Sequence, residues 1–311
     1  MVRVVVTISM ALALLAGAGH ARPPSAPADP QSIELARAVV AADGDRARLS
    51  RLNTLGFMIA DQIEQTLQVT DLAEKEKIAG IVHRRLHAWE DDLIEARVSA
   101  MARTFTVNEL QGNLAFGGSP TGQVLRTATP KLNESLASLA FGQGVLAANA
   151  PPLSKQKVDL INRILSAREV EANARKGWRL TVSMMAKLSS AASKTTPPSD
   201  IAAETEAEDA YVKRVVLVET QFYSNNFSEA QLSDLAAYFD GPTGRAFARR
   251  APELTSNLAG EVPKIFDRLF DGMDKEACHA VECTPSQQAA LGARLAVARS
   301  MTARGIDATL H

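Results

Sequence analysis

The chain has 311 residues, is 46% hydrophobic but only 5% aromatic, and sets 34 Lys plus Arg against 35 Asp plus Glu. That near-neutrality provides no field to draw in nucleic acid or an anionic bilayer, which excludes nonspecific nucleic-acid binding as a function class. The length and an apolar fraction supplied mostly by Ala, Leu and Val point to a helical protein of two domains or one double-length repeat.

In chain order, Met1 to Arg3 precede an apolar run from Val4 to Ala18, then Gly19-His20-Ala21 and Arg22-Pro23-Pro24. A short apolar run ending in small residues reads as a signal peptide over 1–21, cleaved after Ala21. Its length falls short of a membrane span, and no later segment is apolar enough to be one. The expected location is the periplasm, with no transmembrane segment in the mature chain.

Ile33, Leu35, Ala36, Val39 and Val40 predict a short first helix that halts near Asp43-Gly44. A second is predicted from about Arg46 to Val69, with Leu49, Leu52, Leu55, Ile59, Ile63 and Leu67 at spacings of three or four. A long third helix places Ile78, Val82, Leu86, Trp89, Leu93 and Met101 on one stripe. The fourth opens with a capping box, Thr106 and Glu109, and the fifth starts at Ser119-Pro120, where a first-turn proline forfeits no hydrogen bond. Pro130 falls inside that helix and predicts a bend.

The same series then recurs. Phe105-Thr106-Val107-Asn108-Glu109-Leu110 matches Phe227-Ser228-Glu229-Ala230-Gln231-Leu232 at an offset of 122. The register holds through Pro120-Thr121-Gly122 and Pro242-Thr243-Gly244 to Pro130-Lys131-Leu132 and Pro252-Glu253-Leu254. Near the start of each copy the offset is 125, pairing Ile33-Glu34-Leu35 with Val158-Asp159-Leu160. The expected architecture is all-α: two tandem copies of a roughly five-helix module, at 31–146 and 154–270, with a linker at 147–153 marked by Pro151-Pro152. Within the second copy, Ser189 to Asp209 reads as a loop because of Thr195-Thr196-Pro197-Pro198 and an acidic run. Residues 271–311 belong to neither copy and read as a C-terminal helical cap, with a helix from about Pro285 to Ala303.

The pattern Phe-[Ser/Thr]-x3-Leu, an aromatic, Pro-Thr-Gly and a later Pro-x-Leu resembles the bacterial family called domain of unknown function 2059. Phe105 to Leu132 and Phe227 to Leu254 carry the resemblance, about 28 residues per copy. It implies an exported helical protein of the Gram-negative envelope and supplies no reaction to carry over. Family members show an aromatic pair before the turn; Tyr238-Phe239 fits, whereas Phe116-Gly117 departs from it.

The search for chemistry gives little. Cys278 and Cys283 enclose four residues, the wrong spacing for thioredoxin-like redox work, and Thr284 stands where haem attachment needs His, so a small structural disulfide is expected. His83 and His87 have metal-ligand spacing on a helix, but Arg84 and Arg85 stand between them, and a solvated face is the better reading. Asp91-Asp92 and Glu206-Glu208 read as solvated carboxylates, and Arg84-Arg85 and Arg249-Arg250 as solubilising basic spots. No nucleophile elbow or phosphate loop is present, so no enzyme activity and no cofactor are expected. The expected function is a non-catalytic protein-interaction module with an unknown periplasmic partner. The alternative is a carrier or sensor of a small apolar ligand such as a lipid, suggested by Ala-rich helix faces and Met184-Met185. Phe116, Tyr238 and Phe239 border the repeated turn and are the candidate shared surface.

Overall fold

The computed structural model describes residues 29–44, 49, 53–140, 153–179, 182 and 201–310. Among them there are helices and no strand. The expected signal peptide, the 147–152 part of the linker and Met184-Met185 lie outside the described residues.

Helix α1 (Pro30–Ala42) is started by Asp29, whose carboxylate accepts from the N–H groups of Gln31 and Ser32, and it ends at Asp43 before Gly44 with φ +69°. Next come α2 (Asn53–Leu67) and α3 (Leu72–Thr104), a 33-residue helix that touches most of its half of the molecule. The second predicted helix therefore stops two residues short of Val69, because Gln68 turns into the left-handed region at φ +56°. Helix α4 (Val107–Gly118) opens with the predicted capping box, and α5 (Pro120–Ala140) carries Pro130 inside it. Helix α6 (Lys155–Ala167) starts at Ser154, and helical turns over 170–179 follow.

Helix α7 (Ile201–Asn226) begins inside the stretch expected to be a loop. Residues 189–200 lie outside the described residues, but Ile201 to Asp209 are helical. Their Ala and Glu content favours helix, and Glu208 is no solvated carboxylate: it is 8% exposed and bound by Arg179 at 2.8 Å and Arg175 at 3.2 Å. Helix α8 (Glu229–Asp240) repeats the capping box with Ser228 and Gln231, and α9 (Pro242–Ala259) repeats the proline start. The chain closes with α10 (Val262–Phe270), α11 (Met273–Ala280) and α12 (Pro285–Leu310), the last running beyond the predicted end at Ala303.

Packing does not follow chain order. Helix α5 leaves α4 and lies on α7 and α8, while α9 leaves α8 and lies on α3 and α4. Each exchange is recorded in a core. Ala128, Leu132 and Leu139 of α5 are buried with Ile161, Ile164, Val215, Phe222, Tyr223 and Leu232. In return Phe247 and Leu254 of α9 pack against Val98, Met101, Phe105 and Leu110, and Leu258 joins α2, α3 and α10. The C-terminal helices complete that second core: Met273, Ala277, Leu291 and Leu295 are buried beside Ile63, Ile78 and Trp89.

Positions 122 apart make reciprocal contacts. Thr121 donates to Asp234 at 2.8 Å, and a β-carbon at Gly112 would meet Thr243; 112 and 234 correspond, as do 121 and 243. Phe105 stacks on Phe247 at 4.0 Å, and the corresponding Phe227 and Leu125 share a core. The corresponding pair Phe116 and Tyr238 stack on each other, with centroids 3.8 Å apart and planes 9° from parallel.

The basic spots are mostly tied up within the fold. Arg85 caps the end of α10 by donating to the carbonyls of Leu269 and Asp271 and also binds Glu276, which Arg84 reaches at 2.7 Å. Arg250 links α9 to the Thr104 carbonyl at 2.9 Å and to Glu109 at 3.0 Å. Adjacent cations in sequence thus serve helix ends that sequence distance hides.

Candidate functional site: a charged cleft at the α8–α9 turn

The cleft is made where three chain ends converge. Helix α6 stops at Ala167, Arg168 caps it, and Glu169 adopts φ +52°. Helix α8 stops at Asp240, and after Gly241 the chain turns into α9 with proline at its first position. That turn needs Gly244, since a β-carbon there would collide with the Tyr238 carbonyl and lie 2.6 Å from the Phe239 Cα. The resulting cavity of about 310 Å³ is lined by Arg163, Ser166, Ala167, Glu169, Asp240, Arg245 and Arg249.

Its charges are unevenly committed. Arg163 donates to Asp240. Arg245 and Arg249, one turn apart on α9, are exposed, and neither guanidinium has an ion-pair partner among the described residues. Glu169 is exposed as well.

Arg168, between the lining residues Ala167 and Glu169, belongs to a buried polar group. Arg168 donates to Glu219, which is 4% exposed, and to the Tyr223 hydroxyl at 2.8 Å, and its guanidinium lies 5.6 Å from the Phe239 ring. Burial disfavours the Arg168 charge, but the Glu219 carboxylate and the Tyr223 oxygen outweigh it and push its pKa up. The Tyr223 phenol is pushed up to about 12, chiefly by burial. Arg168 therefore stays charged and Tyr223 neutral across the physiological range.

At the offsets read from sequence, an earlier pair carries the same charges in reverse order. At offset 125 Asp43 corresponds to Arg168, and at offset 122 Arg97 corresponds to Glu219. Arg97 approaches Asp43 at 3.8 Å. Arg126, whose counterpart is Ala248, adds a second cation at 3.6 Å. The guanidinium of Arg126 occupies the space over Gly117, where a β-carbon would lie 2.6 Å from its Nη1. The departure of Phe116-Gly117 from the aromatic pair thus has a physical reason: Gly117 makes room for the arginine that answers Asp43.

Phe116 and Tyr238 are half-buried and face each other, with Asn113 donating to the Tyr238 hydroxyl at 3.0 Å, and Phe239 packs on the core beside Arg168. Burial raises the Tyr238 phenol above its usual value. Cys278 and Cys283 are joined in a disulfide between α11 and the approach to α12, with Cα atoms 5.0 Å apart. His83 and His87 meet edge to face at 4.4 Å, and His87 lies 3.5 Å from the buried Glu90. Among the described residues there is no group of three or more potential metal ligands, and no helix is long and apolar enough to cross a membrane.

Sequence reading passed over Arg163, Glu169, Asp240 and Arg245, because they come from three separated segments and match no motif. The signal available was internal: their counterparts in the first copy are Ala38, Gly44, Gly118 and Gln123, none charged. Comparison with protein-family models, with curated proteins and with solved structures gives no match.

Proposed function

We propose that this chain is an exported, non-catalytic protein-interaction module. In this reading two copies of one helical module, related by a local two-fold at the Phe116–Tyr238 stack, exchange their last helices into one scaffold. The observation that carries the proposal is the cleft beside Asp240, where α9 departs to join the other half and leaves arginines without counter-ions on a nearly neutral protein. Several other arginines are spent within the fold: Arg84 and Arg85 on Glu276, Arg175 and Arg179 on Glu208, Arg268 on Asp92; Arg214 is exposed without an ion pair among the described residues but lines no part of the cleft. The cleft's polar lining suits a peptide or protein surface and gives no support to a small apolar ligand.

The test is site-specific photo-cross-linking in the producing cell, with the reactive side chain at Ser166 in the cleft or at exposed Lys131 on α5 as control. A discrete protein adduct from position 166 and none from 131 is expected. No adduct from 166, or the same adducts from both, would sink the proposal.

A further inference from the structure

Resting on that partner-binding reading, we infer that the cleft receives an acidic segment of the partner, its carboxylates taken by Arg245 and Arg249, and that the first copy has no equivalent site. Charge comes first. Three arginines line the cleft against two carboxylates, and Asp240 is already engaged by Arg163. Arg245 and Arg249 lie four apart on α9, a spacing that puts side chains about 5–6 Å apart on one face, within reach of neighbouring carboxylates on an extended peptide. Arginine's planar fork suits that geometry better than a point charge would.

The internal comparison separates a binding role from a folding one. The seven lining residues correspond to Ala38, Ala41, Ala42, Gly44, Gly118, Gln123 and Thr127, small or neutral throughout. The first copy builds the same helix ends and the same turn with none of these charges. Folding therefore does not require them. Glu169 strengthens the case, because its counterpart Gly44 adopts the same left-handed conformation, at φ +69° against +52°, without the steric penalty that a β-carbon brings. Gln68 and Glu282 make the same turn at φ +56° and +51°, so the conformation is a common helix stop and the turn itself does not call for a glutamate at 169.

Glu169 also sets the ligand class. A free phosphate would meet the two arginines but has little to donate to Glu169 and Ser166. A peptide offers carboxylates to Arg245 and Arg249 while its backbone N–H groups donate to Glu169 and the Ser166 hydroxyl.

The test uses the full mature chain and a fluorescently labelled hexaglutamate peptide followed by anisotropy, with hexaglutamine as the neutral control. The variant Arg245→Gln, Arg249→Thr installs the residues of the first copy, so it keeps the fold; an unchanged melting curve checks this, and each single change backs up the pair. Hexaglutamate should bind the native chain, more weakly as salt rises, and about fivefold to tenfold more weakly to the double variant. Hexaglutamine should not bind. Equal affinity for native and variant chains overturns the inference, as does displacement of the peptide by inorganic phosphate, which would assign the arginines to a free oxyanion. If the Ser166 adduct persists undiminished in the double variant, the acidic-segment inference fails while partner binding stands; if no adduct forms on the native chain, partner binding itself fails.

Discussion

Three glycine-to-alanine changes should move stability in different directions, and the signs follow from what a new methyl would meet. Gly122 begins α5 directly against the end of α4: a β-carbon there would collide with the Phe116 carbonyl and lie 2.8 Å from the Gly117 Cα. Ordinary contact needs at least about 3.2–3.5 Å, and the clash with the Phe116 carbonyl is the tighter of the two, so the two helix backbones must part by roughly 1 Å or more. Backbone gives way less readily than a side chain, which places the cost near the upper end of the roughly 1–3 kcal/mol typical of overpacking. Alanine recovers up to about 1 kcal/mol of helix propensity. The net expectation is a loss of about 2 kcal/mol, or about 3 °C in Tm for a chain of this size. Gly244→Ala should match it, with contacts to Phe239 Cα at 2.6 Å and to the Tyr238 carbonyl. Gly80→Ala is the control: mid-helix in α3, its β-carbon would meet only Arg84 Nη1 at 3.8 Å, so the change should stabilise by about 0.5–1 kcal/mol. Thermal melts followed by circular dichroism decide the matter. Gly122→Ala and Gly244→Ala variants as stable as the parent, or Gly80→Ala as damaging as they are, would refute the claim that Pro-Thr-Gly is repeated for helix clearance.

Further outcomes are expected elsewhere in the molecule. Glu219→Arg should cost about 3–5 kcal/mol by leaving Arg168 without its buried counter-ion, and adding Arg168→Asp should recover at least about 1 kcal/mol by recreating the first copy's Asp–Arg arrangement; a chemical-denaturation double-mutant cycle with no recovery would contradict the correspondence. The three tyrosines, Tyr211, Tyr223 and Tyr238, are all raised by burial, so absorbance at pH 10 should show less phenolate than three free tyrosines give. For Tyr223 the stability contributed by its neutral form is fully present below pH 10 and lost as pH rises toward about 12. At the acid end, Arg85 and Arg84 hold the Glu276 carboxyl below its usual value; stability from that pairing is present above the ordinary glutamate range and lost as pH falls through the lowered value, and Glu276→Gln should flatten the acid limb of the melting profile. Replacing Cys278 and Cys283 with Ser should cost on the order of 2 kcal/mol, the entropy of a short ring, without unfolding the chain.

What could be read from sequence was local, and what could not was set by distant partners. Thr106 with Glu109 and Ser228 with Gln231 announced two helix starts because a capping box closes within four residues. Asp43 and Gly44 announced the end of α1 for the same reason. The exchange of α5 and α9 left no trace of that kind: Leu132 and Leu254 look like ordinary helix-core residues, and nothing in their spacing says which half they will enter. Ile201 to Asp209 were misread because the nearby prolines and acidic residues suggest a loop, whereas Arg175 and Arg179, on a separate segment, neutralise Glu208 and let the helix extend. The cleft escaped because its arginines gain their meaning from what is absent around them, a property of three-dimensional surroundings that no spacing encodes.

Two helix ends, those of α1 and α6, carry charge pairs of opposite order. With Asp43 at the end of α1, the first copy needs cations, and it supplies Arg97 and also Arg126 from α5; admitting Arg126 forces glycine at 117. With Arg168 at the end of α6, the second copy needs an anion and a ring, supplies Glu219, Tyr223 and Phe239, and has only Ala248 where Arg126 stands. The second solution is self-contained, since its charges are satisfied without help from α9. That leaves the outward face of α9 without a structural duty at Arg245 and Arg249, while the equivalent face of α5 carries Gln123 and Thr127. Replacing Arg245 and Arg249 should therefore cost little stability, because the buried charge next to them is answered by Glu219. Glycine at 117 and the arginines left unpaired at 245 and 249 thus sit beside charge pairs of opposite order, Asp43 with Arg97 and Arg126 in one case and Arg168 with Glu219 in the other.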